Sequence, residues 1–145
     1  MKKLVLIGLA MAAAYFGGIE RFIPARDDVV TTIGGDDAAL AAAFENRRSD
    51  VQIEGSGRVT RVLPDDSDGS RHQRFILELA SGQTLLVAHN IDLANRVASI
   101  RAGDRIAFKG EYEWNARGGM VHWTHRDPQR SHVDGWIKHN GHTYQ

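Results

Sequence analysis

The stretch Arg105–Trp114, RIAFKGEYEW, decides the fold because its large apolar residues alternate with polar ones. Alternate side chains of a β-strand lie on the same face. Ile106, Phe108, Tyr112 and Trp114 therefore share one face, and the pattern predicts a strand that is buried on one side.

Further strands are predicted on both sides of this one. Downstream, Asn115–Gly119 has the composition of a hairpin loop, and Met120–Thr124 that of a strand. Upstream, Asp92–Ile100 has apolar residues at helical spacing and predicts a helix. Three earlier strands are predicted, at Val51–Leu63, Gln73–Leu79 and Thr84–His89.

The predicted order is thus three strands, one helix and two strands (β-β-β-α-β-β). This is the order of the OB-fold, a five-stranded, partly open Greek-key barrel. We therefore predict a mainly β protein whose residues 51–145 form an OB-fold-like five-stranded barrel. Coil from Asp127 onward is expected to wrap back over the barrel.

The N-terminal segment has the features of an export signal. Lys2 and Lys3 precede Leu4–Ile19, which contains no charged residue. As a helix, this run would span about 24 Å, less than the roughly 30 Å hydrocarbon core of a bilayer. We predict that residues 1–23 are a cleaved signal peptide, with an uncleaved inner-membrane anchor or a buried helix as alternatives. The remainder is then periplasmic or secreted, or faces the periplasm from its anchor.

Residues 24–50 are predicted to form a linker followed by a short helix. Pro24–Gly35 has no apolar periodicity and has the composition of a linker. Asp36 or Asp37 is suited to cap a helix over Ala38–Arg48. We expect this helix to pack on the edge of the domain.

The composition excludes several kinds of site and partner. The chain contains no cysteine, so it has no disulfide, thiolate metal ligand or cysteine nucleophile. Without residues 1–23 it carries 15 basic and 17 acidic residues. Strong nucleic-acid binders carry a basic excess, so nucleic acid is not favoured as a partner. Membrane contact is expected only through an uncleaved N-terminal segment.

Histidine is concentrated near the C-terminus, where five of the seven histidines occupy the last 24 residues. Histidine is the side chain whose charge is most easily tuned near neutral pH. Strand parity predicts that Trp123 and His125 lie together and that His122 faces the other way. His139 and His142 are expected to be solvent-exposed ends.

A site is predicted where polar and aromatic residues meet at the mouth of the barrel. The candidates for catalysis are His125, Asp127 and His72. No residue is assigned as a metal ligand, because the histidines and Asp127 lack an established metal-binding spacing, and no cofactor is identified. The predicted ligand-binding residues are Arg71, His72, His89, Asn90, His125, Asp127 and Trp136.

These residues also have structural interpretations. His72 suits the exposed base of a hairpin, and His89 and Asn90 suit hydrogen bonds within the core. Tryptophans often fill the core of a small barrel, although they also stack on bases or sugars. Trp136 is the tryptophan most suited to contact a ligand, because its surroundings in the sequence are polar.

Six segments of the chain form a recognisable set: Leu63–Asp66, Arg71–Phe75, Ala88–Ala94, Gly110–Asn115, His122–Pro128 and Gly135-Trp136. Together they resemble one bacterial family, the domain of unknown function 3465 family. The resemblance covers residues 51–145, and it implies a small exported domain without an established activity.

Three functions are compatible with this sequence. The first is a binding module of the cell envelope for a small or oligomeric anionic ligand. The second is a histidine-based hydrolase of phosphodiester or related bonds, with or without a metal, in which His125 and Asp127 would act as an acid/base pair. The third is a purely structural envelope protein. The sequence leaves open whether the protein is an enzyme.

Overall fold

The computed structural model describes residues 35–145, which form one compact, mainly β unit. The predicted signal segment and most of the predicted linker lie outside these described residues. The elements are α1 (Gly35–Glu45), β1 (Val51–Asp66), β2 (His72–Glu78), β3 (Thr84–Asn90), β4 (Arg105–Glu113), β5 (Met120–His122), β6 (Trp136–His139) and β7 (His142–Tyr144).

Five of the strands pair in a closed ring. The order around the ring is β1, β2, β3, β5 and β4, and β4 pairs again with β1. The β3–β5 pairing is parallel, and the other four pairings are antiparallel. The long strand β1 can pair with two neighbours because its first half lies against β4 and its second half against β2.

The inward faces of these strands form the core, as their alternation predicts. In β4, Ile106, Phe108 and Tyr112 are buried. Gly110 occupies the same face because β5 comes very close there. A Cβ atom at Gly110 would lie 2.4 Å from the carbonyl oxygen of His122. The missing side chain therefore lets the end of β5 lie directly beside β4.

The predicted short helix is present as α1 and begins slightly earlier than expected. Asp36 and Asp37 lie in its first turn, where carboxylates interact favourably with the helix dipole. Asp37 is buried and accepts a hydrogen bond from the Ser81 N–H. Leu40 and Ala43 are buried in the same core as the strands. No helix in residues 35–145 is long and apolar enough to cross a membrane.

The helix predicted over Asp92–Ile100 is wrong, since this segment consists of turns and irregular chain. The Gln73 side chain donates to the Val97 carbonyl at 3.0 Å and accepts from the Val97 N–H at 2.8 Å. These two bonds occupy backbone groups that a helix would use internally. Leu93, which should lie on the buried face of such a helix, is 47% exposed.

The coil predicted after Asp127 is also wrong in part, because its last residues form the hairpin β6–β7. β6 pairs with β4 and extends the sheet beyond the ring. His139, predicted to be exposed, is therefore buried, and its Nε2 lies 2.9 Å from Asp104 Oδ2. His142 is exposed as predicted.

Candidate functional site

The segment 123–135 forms a loop that leaves the ring at β5 and ends at β6, which pairs with β4 outside the ring. Trp123 has a φ of 54°, so regular strand geometry ends at His122. The Gly135 N–H donates to the His125 carbonyl at 2.9 Å and closes the base of the loop. We call this segment the 123–135 loop. It carries His125 and Asp127, two of the seven ligand-binding residues that the sequence predicts.

The Asp127 carboxylate orders this loop. It accepts hydrogen bonds from the N–H groups of Gln129 (2.9 Å), Ser131 (2.7 Å) and His132 (2.8 Å). The Ser131 hydroxyl donates a fourth bond at 2.9 Å. The backbone donors, with Gln129 first, lower the pKa of Asp127 to about 2. Asp127 is therefore a carboxylate that the loop's own donors surround.

His125 and Asp127 do not contact each other as an acid/base pair would. His125 is buried, and its Nδ1–H donates to the Arg126 carbonyl at 2.7 Å. Trp123 and His125 do lie together, with ring centroids 5.3 Å apart. Strand parity does not cause this contact, because β5 ends at His122 and Trp123 already lies in the loop.

The other predicted residues lie in separate places. Arg71 pairs with Asp92, with Nε and Oδ1 2.8 Å apart. His72 pairs with Asn90 across β2 and β3, and the Asn90 side chain accepts from the Asp92 N–H. These residues form a polar group at one end of the β2–β3 pair, and its charged members are already paired. Trp136 lies at the start of β6, where the Lys138 ammonium is 4.2 Å from its ring centroid.

His89 is a fully buried imidazole. Its Nε2–H donates to the Asn95 carbonyl at 3.0 Å, so Nδ1 accepts from the Thr124 hydroxyl at 2.7 Å. Burial is the main reason why its pKa falls to about 4, and the nearby His125 and His72 lower it further. His89 thus corresponds to the core interpretation of the sequence. It fixes Thr124, and with it the start of the 123–135 loop.

A cluster of two carboxylates and two imidazoles lies beside this loop, on the face of β4 opposite the core. Glu111 pairs directly with His122 across β4 and β5. His122 Nε2 lies 3.5 Å from Glu111 Oε2 and 3.4 Å from Glu113 Oε1. His132 Nε2 lies 3.2 Å from Glu111 Oε2. We call these four residues the Glu/His cluster.

The ring of Trp123 holds His132 in this position. The two rings are stacked, with centroids 4.0 Å apart and planes inclined by 12°. His132 Nδ1 lies 2.8 Å from the Val133 carbonyl. Because a carbonyl oxygen has no hydrogen to donate, this ring nitrogen must carry the proton. A hydrogen bond from Nε2 to the carboxylate of Glu111 then requires a proton on Nε2 as well.

The outer side of the 123–135 loop forms a pocket of about 510 Å³. Of the seven predicted ligand-binding residues, Asp127 lines this pocket. His132 lines it as well, so the pocket and the Glu/His cluster share one residue. The complete lining is Arg126, Asp127, Arg130, His132 and Asp134.

Sequence reasoning missed Glu111 and Glu113, although the signal was present. The predicted hairpin loop Asn115–Gly119 joins two antiparallel strands, and its position places Glu111 opposite His122. Residues directly opposite on an antiparallel pair have neighbouring side chains. His122 was not predicted as a site residue, because it faces away from His125. Its strand neighbour Glu111 was missed for the same reason.

We expect Asp127→Asn to lower the melting temperature by several degrees at pH 7, because an amide offers one acceptor oxygen where the carboxylate uses two. The stabilisation by Asp127 is present above about pH 4, the usual value of an aspartate, and is lost as the pH falls through about 2. Thermal melts between pH 7 and pH 2 test this expectation. Asp68→Asn, in the exposed turn after β1, is the control. Equal melting of the Asp127 variant and the unmodified protein at pH 7 would contradict it.

A comparison with protein-family models identifies a family for this chain. The model, described as a protein of unknown function (DUF3465), matches residues 27–145. The match includes α1 in addition to the strands on which the resemblance in the sequence rests. A search of curated proteins found no match.

Proposed function

Because the chain belongs to the DUF3465 family, whose description names no activity, we propose its function from the geometry. We propose that it is an exported, OB-like domain that binds a small anionic ligand in the pocket of the 123–135 loop. Arg126 and Arg130 would bind the anion.

The proposal is supported by two guanidinium groups in this pocket that no carboxylate of the described residues pairs with. Within residues 35–145, neither Arg126 nor Arg130 has a carboxylate partner within 4.0 Å, whereas Arg71 and Arg96 do. Arginine presents a planar fork of donors that matches carboxylate and phosphate groups. The pocket therefore offers two such forks to an incoming anion.

The acidic residues of the pocket keep their charges, but backbone N–H groups already occupy several of their acceptor oxygens. Both oxygens of Asp127 accept hydrogen bonds from within the loop. Asp134 Oδ1 accepts from the Asp127 N–H at 3.0 Å. Acceptor atoms used in this way are poor partners for a nearby arginine side chain. Both acids thus support the loop that carries the arginines.

The ring of strands supports the OB-like part of the proposal. A five-stranded ring with a long first strand that contacts both neighbours fits the Greek-key barrel of that fold. The segment between β3 and β4 departs from it, since turns replace the expected helix. In OB-folds the ligand is bound by loops and one sheet face, and a pocket on a loop beside β4 and β5 is compatible with this use.

The N-terminal sequence supports export. Lys2 and Lys3 followed by the uncharged run Leu4–Ile19 are typical of a signal peptide. The domain would then act in the periplasm or outside the cell, or face the periplasm from an uncleaved anchor.

We expect inorganic phosphate to bind to the full chain and the double variant Arg126→Gln/Arg130→Gln to bind it at least about tenfold more weakly, because each bidentate contact is lost. Isothermal titration calorimetry at low salt, in the presence of a chelator, measures both affinities. Binding should weaken as salt rises, because the arginines are exposed.

The matched control is Arg58→Gln/Arg61→Gln on β1. It removes the same two charges from exposed positions outside the pocket. Phosphate affinity that both double variants reduce equally would show a general effect of net charge and contradict the proposal. Undetectable phosphate binding by the unmodified protein would contradict it as well.

A further inference from the structure

In the Glu/His cluster two carboxylates lie close together, and no lysine or arginine of the described residues pairs with them. Glu111 and Glu113 are two positions apart on β4, so both carboxylates lie on the same face of the strand. Their side chains are only 14% and 29% exposed. Within residues 35–145, imidazoles are their only basic partners within 4.0 Å. Two partly buried carboxylates repel each other unless a cation lies between them.

Two of the three separations between ligand atoms in the cluster match those around a small tetrahedral cation. Zinc binds histidine nitrogen and carboxylate oxygen at about 2.0–2.2 Å, which places neighbouring ligand atoms of a tetrahedron about 3.3–3.6 Å apart. The observed separations from His122 Nε2 to Glu111 Oε2 and Glu113 Oε1 are 3.5 and 3.4 Å. All three ligand atoms lie within 4.8 Å of one another.

His132 supplies the kind of indirect support that metal ligands have in proteins. Its Nδ1–H is committed to the Val133 carbonyl, and Trp123 fixes the ring by stacking. Nε2 lies 3.2 Å from Glu111 Oε2, within hydrogen-bond distance. Outer groups that hydrogen-bond to a ligating side chain orient it in metal sites.

We propose that Glu111, Glu113 and His122 bind one divalent transition-metal ion of the zinc class, with His132 as a positioning residue. Three protein ligands leave at least one coordination position open, which is typical of sites that bind or activate a further ligand. The imidazole favours zinc over magnesium and calcium, which prefer oxygen ligands. The metal site does not depend on the anion pocket, although His132 belongs to both.

The test is a titration of the untagged full chain with Zn²⁺ at pH 7, without phosphate, followed by calorimetry. We expect one equivalent to bind and Mg²⁺ not to compete. Glu113→Gln and His122→Asn should each weaken binding at least about tenfold, since even the loss of an indirect contact costs about 10–100-fold in metal affinity. Glu54→Gln and His142→Asn are matched controls at exposed positions and should leave the affinity unchanged.

Nuclear magnetic resonance of the histidine side chains provides a second measurement that needs no variant. We expect substoichiometric Zn²⁺ to shift the His122 ring signals first. Earlier shifts at His139 or His142 would overturn the proposal, because they would place the ion on the β6–β7 hairpin. Absence of zinc binding, or binding that survives in both Glu113→Gln and His122→Asn, would also overturn it and leave a protonated imidazole as the counter-charge. Phosphate binding in the presence of a chelator is unaffected by either result, so the two proposals fail independently.

Discussion

Replacing Gly135 by alanine is expected to cost more stability than any other single methyl group added to the 123–135 loop. A Cβ atom at this position would lie 2.0 Å from the Trp123 carbonyl oxygen and 2.5 Å from that of Lys109. Both obstacles are backbone atoms of paired or closely packed chain, so no side-chain rotation relieves the clash. Overpacking of this kind typically costs about 1–3 kcal/mol and sometimes more. We expect a value at or above the upper end of this range.

The Gly135 substitution should also weaken both proposed sites. Gly135 lies directly before β6, and its N–H closes the loop through the His125 carbonyl. Moving this residue away from β4 moves the end of the loop, and with it His132, away from Glu111. We therefore expect the folded fraction of Gly135→Ala to bind both zinc and phosphate more weakly than the unmodified protein does.

Urea unfolding of Gly135→Ala measures the expected loss. The control is Gly69→Ala in the turn after β1, where nothing lies within 4 Å of the added atom. Gly69 has a φ of 75°, so alanine there costs about 1–2 kcal/mol through backbone conformation alone. A smaller loss for Gly135→Ala than for Gly69→Ala would contradict the close approach of the loop to β4.

The strands of the ring could be predicted from sequence because alternation reports burial directly. A strand that is buried on one face must place apolar residues at every second position, and Ile106, Phe108 and Tyr112 do so. The irregular segment between β3 and β4 could not be predicted in this way. Its conformation depends on the side chain of Gln73, 24 residues away from its partner Val97. Helical spacing of a few apolar residues does not contain that information.

The β6–β7 hairpin could have been predicted from its turn residues, although the polar composition of the tail favours coil. Asn140-Gly141 is a preferred turn pair for a two-residue hairpin, and both residues have positive φ. The surrounding polar residues favour coil, yet Ile137 fills the core and the buried His139 has Asp104 Oδ2 as its partner at Nε2. Histidine can thus occupy a buried strand position when one carboxylate reaches it.

The candidate site was only partly predictable because its residues are neighbours across strands. The predicted site combined His125 and Asp127 of the 123–135 loop with residues of β2 and β3. In the structure, the loop contacts β3 through Thr124 and His89, and β4 through His132 and Glu111. Which strand lies beside a loop is decided by the ring order, and that order is a property of the whole fold.

Lowering the pH from 6.5 to 4 is expected to destabilise the protein by about 3 kcal/mol through His89. The pKa of this buried imidazole is about 4 in the folded protein and 6.5 in the unfolded chain. The unfolded chain therefore binds more protons between these values, and stability falls as the pH decreases through this window. Each pKa unit corresponds to about 1.4 kcal/mol, and small domains are stable by only about 5–15 kcal/mol. The loss is complete below about pH 4.

Protonation of His89 is unfavourable in the folded protein because its imidazole ring is fully buried. Protonation places a charge in the core and adds a hydrogen to Nδ1, which then faces the Thr124 hydroxyl as a donor. The Thr124 hydroxyl can turn to accept this hydrogen, but nothing replaces the water that a charged imidazole loses on burial. Nearby His125 and His72 increase the cost if they are protonated as well.

The free energy of unfolding by urea, measured from pH 7 to pH 4, tests this expectation. His89→Gln keeps one donor and one acceptor but cannot be protonated, so its stability should be lower at pH 7 and should change less between pH 6.5 and 4. His142→Gln, at an exposed position, should keep the full pH dependence. The stabilisation by Asp127 is lost only below about pH 4, so its loss does not overlap with this window. An identical pH dependence of His89→Gln and the unmodified protein would show that His89 is not the group that titrates.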